Sequence, residues 1–130
     1  MKIKALVKRP GESFKIIEGT KDTLDWVHKD GNIENLDHLM IGNYCFLFDD
    51  IGAINYIAGR VKYNCNLVND YNLIFGNLYV TKVDEHGEDT DILEEDLFDI
   101  AINVFVLNEK EAHDITMKLW KKYGPNLDAW

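Results

Sequence analysis

The chain has no glutamine, one serine (Ser13), two arginines (Arg9 and Arg60) and two cysteines in its 130 residues. Against many Asn, Lys and Ile, that bias is what an AT-rich coding sequence produces, which points to a low-GC bacterium or its phage. The cysteines, Cys45 and Cys65, form no CxxC and no second pair, so free thiols are expected. The start, MKIKALVKRPG, holds only the short apolar run Ala5 to Val7. A secretion signal needs an apolar run of about seven residues and a membrane span about twenty. A protein of the reducing cytosol, without a membrane role, is therefore expected.

Chemical signatures are missing too. There is no Walker A lysine, GxGxxG, HExxH or GxSxG. The acidic turn near Gly87 fails as an EF-hand. With Gly87 as the sixth loop position, the first would be Lys82 and the twelfth Leu93, and neither is a ligand. Cys45, Cys65, His28 and His38 lack the paired spacing of a zinc site. Cys45 lies in the apolar run Tyr44 to Phe48, where a thiol behaves as a small hydrophobe. Cys65 has no histidine near it in sequence. These features predict no metal, no cofactor and a protein that binds rather than catalyses.

What the sequence has in abundance is acid. It carries 23 acidic and 14 basic residues, net −9, with 46% hydrophobic and 12% aromatic residues, enough for the core of a single domain spanning residues 1–130. Asp84, Glu85, Glu88, Asp89, Asp91, Glu94, Glu95, Asp96 and Asp99 fall in one stretch without Lys or Arg. Taking these nine from 23 leaves 14 acids against 14 bases, so this segment holds the whole imbalance.

Hydrophobic patterning predicts an α+β domain with a mainly antiparallel sheet, a short N-terminal helix and two C-terminal helices packed on it. Residues 2–8 and 13–18 read as a hairpin around Pro10-Gly11. A helix capped by Thr20 or Asp22 carries Leu24, Trp26, Val27 and His28 and stops at Gly31. Residues 33–40 and 44–48 read as strands, and 53–58 as a further strand after the turn Asp49 to Gly52. Residues 59–72 look irregular. Residues 73–83 read as the longest strand, with a bulge or close approach at Gly76. Thr90 is placed to cap a helix bearing Leu93, Leu97, Ile100, Ala101 and Val104. Asn108 and Glu111 make a capping box for a last helix bearing Ala112, Ile115, Leu119, Trp120 and Tyr123, which Gly124-Pro125 ends. Leu78, Val80, Leu97, Ile100 and Leu119 are the expected core between the long strand and these helices.

The order MKIKALVKRPGESFKIIE, an Asp-Thr-Leu helix running into DGNIE, YCFLFDDIGAI and IFGNLYVTKVDEHGE resembles the DUF3846 family over roughly residues 1–97. Pro10-Gly11, Gly31 with Ile33-Glu34, Asp49-Asp50 with Gly52, and Gly76 with the Asp84 to Glu88 turn carry the likeness. Where the family shows a Gly-Leu-Pro-x-Asn-like stretch, this chain has YIAGRVKYNCN, and its last helix runs further. The resemblance implies a phage or mobile-element context and supplies no catalytic residues.

Two segments are candidates for function. In the first, Asp84, Glu85, Glu88, Asp89, Asp91, Glu94, Glu95 and Asp99 form a partner-binding face. Asp91, Glu95 and Asp99, four apart, would stack along one helix at steps of about 6 Å, comparable to phosphates on a nucleic-acid strand. Such a row suits a basic, nucleic-acid-binding surface of a host protein, and implies an inhibitor of a bacterial defence system of the anti-CRISPR or antirestriction type. Direct contact with nucleic acid is disfavoured, because neutralising phosphates needs a basic patch. In the second, Arg60, Tyr63, Asn64, Asn66 and Tyr71 of an Asn-rich loop would cradle a nucleotide, with a tyrosine stacked on its base. Loop turns and side-chain caps explain the same composition.

Overall fold

A computed structural model describes residues 2–20, 22–67 and 72–123 of the chain. The fold starts as the turn chemistry requires. β1 (Lys2–Lys8) and β2 (Lys15–Thr20) pair antiparallel, Leu6 opposite Ile16. Gly11 takes φ +75 in the connecting turn, a left-handed geometry that glycine adopts without strain.

β1 lies second in a large sheet of order β2-β1-β7-β4-β3, with β8 paired to β7 beside that path. Here β3 is Leu36–Ile41, β4 is Tyr44–Asp49, β7 is Leu78–Val83 and β8 is Asp89–Thr90. A smaller sheet runs β6-β5-β9, from Asn72–Phe75, Tyr63–Leu67 and Val104–Phe105. Every pairing in both sheets is antiparallel.

The pleat sends alternate residues of the large sheet into two different cores. Leu6, Phe46, Leu78 and Val80 face the small sheet, meeting Cys65, Leu67 and Ile74, with Ile100 closing one side. Val7, Leu47 and Tyr79 face the opposite way, against Val27 of α1 (Thr23–Gly31). Helix α1 approaches so closely that a Cβ on Gly19 would lie 2.4 Å from the indole of Trp26. On the far side of the small sheet, Tyr63 and Phe75 pack with Ala112 of α4 (Glu109–Tyr123) and with α2 (Gly52–Ile57), whose Tyr56 stacks on Phe75 at 4.6 Å. The remaining helix, α3, spans Asp96–Ala101. The domain is thus α+β with antiparallel sheets. No helix among the described residues is long and apolar enough to cross a membrane.

Several boundaries differ from the patterning, each for a physical reason. Where a strand was expected over 53–58, the chain forms helix α2, Gly52–Ile57. Tyr56 and Ala53 fall three apart and both reach the Phe75 cluster, while Gly52 leaves room for the Phe75 carbonyl 3.0 Å from where its Cβ would be. Residues 63–67, read as irregular, are a strand buried along its whole length. The long strand at 73–83 is two strands in two sheets. Gly76, at φ +81, lets the chain step from β6 to β7, and its carbonyl takes 2.8 Å donation from Asn64 Nδ2.

The helix expected from Thr90 starts only at Asp96. Ile92 N–H donates instead to Lys4 O at 2.9 Å, which keeps residues 89–92 extended beside β1. Val104 accordingly sits in β9. The last helix begins as its capping box requires, with Glu111 N–H on Asn108 Oδ1 at 2.9 Å. Of the expected core, Leu78, Val80 and Ile100 are buried, while Leu97 and Leu119 are half-buried. Gly124-Pro125 lies outside the described residues.

Candidate interaction surface

The acidic segment divides at residue 93. In its first part the carboxylates are occupied with the fold. Asp84 Oδ1 accepts from the backbone N–H of His86 at 2.8 Å and of Glu88 at 3.0 Å, tying off the turn. Asp89 accepts from the Thr23 hydroxyl at 2.6 Å and so fixes β8 to the start of α1. Asp91 accepts from Lys4 N–H at 2.8 Å at the open edge of β1. Only Glu85 and Glu88 are exposed there without such a partner, apart from a 3.6 Å contact of Glu85 with His86.

Asp96, left out of the expected partner-binding set, is the most engaged acid among the described residues. It is 5% exposed and accepts from Leu93 N–H, from Tyr44 OH at 2.8 Å and from Lys82 Nζ at 3.1 Å. Burial alone would raise its carboxyl, but these hydrogen bonds and the Lys82 charge outweigh burial and hold it below its ordinary range. The same burial, with the Asp96 carboxylate alongside, pushes the Tyr44 phenol up to about 12.

The expected row of Asp91, Glu95 and Asp99 is therefore broken. Asp91 precedes the helix and holds β1, while Glu95, the residue before α3, and Asp99 stand four apart on one exposed face. That face is not purely acidic. Phe98 is 74% exposed and Ile102 56%, one turn apart, with Leu93, Phe105 and Val106 exposed nearby in sequence. Among the described residues, five of the seven large exposed apolar side chains fall between Leu93 and Val106. On α3 itself, Phe98 and Ile102 remain exposed together with Asp99, and Glu94 and Glu95 are exposed just before the helix. The apolar stripe 93-97-100-104 does not mark Phe98 or Ile102, because its Leu97, Ile100 and Val104 turn to the core. A phenylalanine at 98, off that stripe, was the available signal.

The Asn-rich segment is resolved differently. Tyr63, Asn64 and Asn66 are buried strand residues and so are unavailable as a loop cradle. Tyr63 OH donates to Asn66 Oδ1 at 2.5 Å and accepts from Leu107 N–H at 3.0 Å. Asn64 Nδ2 donates to the carbonyls of Lys8 and Gly76. Arg60 stays exposed and reaches Asn55 Oδ1 at 3.4 Å, on an open cleft with Lys62 and Asn77. Tyr71 lies outside the described residues. The structure therefore does not bring Arg60, Tyr63, Asn64 and Asn66 together as a loop cradle: interior hydrogen bonds engage Tyr63, the Asn64 amide and Asn66 Oδ1, while Asn66 Nδ2 is buried without a partner among the described residues.

Neither cysteine is placed as a nucleophile. Burial pushes the Cys65 thiol up to about 12, and burial with the Asp89 charge raises Cys45. Among the described residues, no three of His, Cys, Asp and Glu gather as a metal site. Compared with protein-family models, curated proteins and solved structures, the chain matches none.

Proposed function

We propose that this chain works by binding a partner protein through the exposed face of α3 and the strand that follows it. The observation that carries this reading is the concentration of exposed apolar side chains between Leu93 and Val106, with Phe98 foremost, among unpaired carboxylates. Apolar surface gathered in this way on a small domain marks a contact site. An aromatic anchor supplies most of the affinity in such contacts, and surrounding charge sets partner choice and association rate. The fitting partner has an apolar depression rimmed by Lys and Arg.

In the mobile-element context that the DUF3846 resemblance implies, that partner is a nucleic-acid-handling host protein. The chain would then inhibit a defence effector of the CRISPR or restriction type in the host cytoplasm. Its net charge of −9 argues against direct nucleic-acid binding. Affinity capture from a low-GC bacterial lysate, followed by mass spectrometry, identifies the partner. Phe98→Ala should then weaken the purified complex about 30-fold, the effect of a hot-spot loss of about 2 kcal/mol. A captured partner that binds Phe98→Ala and wild type equally would sink this reading.

A further inference from the structure

Lys8 ends β1 on the face that meets the small sheet and is only 7% exposed. Its Nζ donates to Asn64 Oδ1 at 2.8 Å, and no carboxylate lies within ion-pair distance among the described residues. Asn64 has no freedom to turn. Both hydrogens of its amide are committed, to Lys8 O at 2.7 Å and Gly76 O at 2.8 Å, so Oδ1 faces the ammonium. An ammonium has three donors, and only one is engaged here. Folding alone does not favour this arrangement. A buried charge held by a single neutral acceptor is costly, and the Asn64 contact returns only part of that cost.

Lys8 and Asn64 also line an open cavity of about 460 Å³ between the β1–β2 hairpin loop and the α3–β9 connection. Phe14, Val104 and Val106 give it apolar walls. We propose that this cavity binds a small organic monoanion, its acidic group on the Lys8 ammonium and its apolar body against Phe14, Val104 and Val106. The charge distribution selects a single negative charge. One cation serves the cavity, Glu12 stands on its lining, and the chain as a whole carries −9. A second anionic group would meet repulsion and no donor from Asn64. Val106 is shared with the proposed partner-binding face, but Lys8, Asn64 and Phe14 are not, so octanoate binding reads this cavity by itself.

Octanoate is a suitable probe, titrated into the full chain by calorimetry, with neutral octanamide as its counterpart. The expected result is saturable one-site binding of octanoate, with octanamide about 10- to 100-fold weaker, the range of one charge-assisted hydrogen bond. Lys8→Met should lose octanoate by a similar factor, with a lower thermal midpoint because Asn64 Oδ1 loses its donor. Ser13→Glu, an exposed change on the same lining, should keep the fold and also weaken octanoate, which decides the matter should Lys8→Met not fold. The proposal is overturned by the absence of saturable octanoate binding up to about 10 mM, well above ordinary ligand affinities. Equal binding of octanamide, or undiminished octanoate binding by either variant, overturns it as well and leaves Lys8 a structural residue.

Discussion

The Asn-rich strand and the acidic segment are both built from side chains that prefer water, yet the fold treats them in opposite ways. Tyr63–Leu67 is buried along its length: Cys65 and Leu67 join the apolar core, and Lys8, Gly76, Tyr63 and Leu107 engage the Asn64 amide, Asn66 Oδ1 and the phenol, leaving Asn66 Nδ2 without a partner among the described residues. The acids from Glu94 to Asp99 stay at the surface, Asp96 excepted, and share it with Phe98 and Ile102. Polarity sets the cost of burial, whereas the presence of partners decides whether that cost is met. A polar residue with interior partners is architecture. An apolar residue left outside is the better sign of an interaction.

The comparison breaks first at Asn64. Asn64→Leu would strip partners from two carbonyls and from the Lys8 ammonium, and should cost on the order of 3–4 kcal/mol in urea unfolding. A loss under about 1 kcal/mol would mean that the strand is held by its apolar residues alone.

Asp96 comes next, since it belongs to the acidic segment yet behaves like the Asn-rich strand. Asp96→Ala should cost about 3 kcal/mol at neutral pH, because Lys82 and Tyr44 lose their shared acceptor. Its carboxyl titrates below the ordinary 3.8 in the folded protein. As pH falls, the unfolded chain therefore takes up the proton first. The stabilisation is complete above that ordinary value and is lost as pH drops through the lower, folded one. The gap between wild type and Asp96→Ala should accordingly shrink below about pH 4. A constant gap down to pH 2 would show that packing, not charge, gives Asp96 its role.

The smallest effects separate the two halves of the acidic segment. Asp91→Asn should lower stability by about 1 kcal/mol and leave partner binding alone, since its carboxylate serves Lys4. Glu95→Lys with Asp99→Lys should change stability by no more than about 0.5 kcal/mol. It should slow association with the captured partner, and the wild-type rate should fall between about 50 and 200 mM salt. Stopped-flow or surface-binding kinetics would show it. If Asp91→Asn slows association as much as the double reversal does, the division at residue 93 has no functional meaning.

Much of the architecture was legible in the order of residues. Pro10-Gly11 announced a hairpin, Gly31 the end of α1, and Asn108 with Glu111 the start of α4. These are local signals, fixed by φ preference and by capping within a few residues. Gly76 was legible as a special position, but its consequence, a strand that changes sheets, depends on Asn64 and Lys62 twelve or more residues away in the chain. Helix α2 was misread because Ala-Ile-Asn-Tyr-Ile has no decisive period over so short a span, and Phe75 settles its form by stacking on Tyr56.

By itself the sequence determined the class of fold, the single acidic stretch and the absence of any chemical signature, since composition and local periodicity suffice for those. Only the tertiary structure decided which polar groups find partners. It drew Asp84, Asp89, Asp91 and Asp96 into the framework, turned Asn64 inward to hold the Lys8 ammonium, and left Phe98 outside. Hydrogen bonds between residues up to 88 apart, such as Ile92 to Lys4, leave no periodic trace in a sequence, because their energy depends on geometry in space alone.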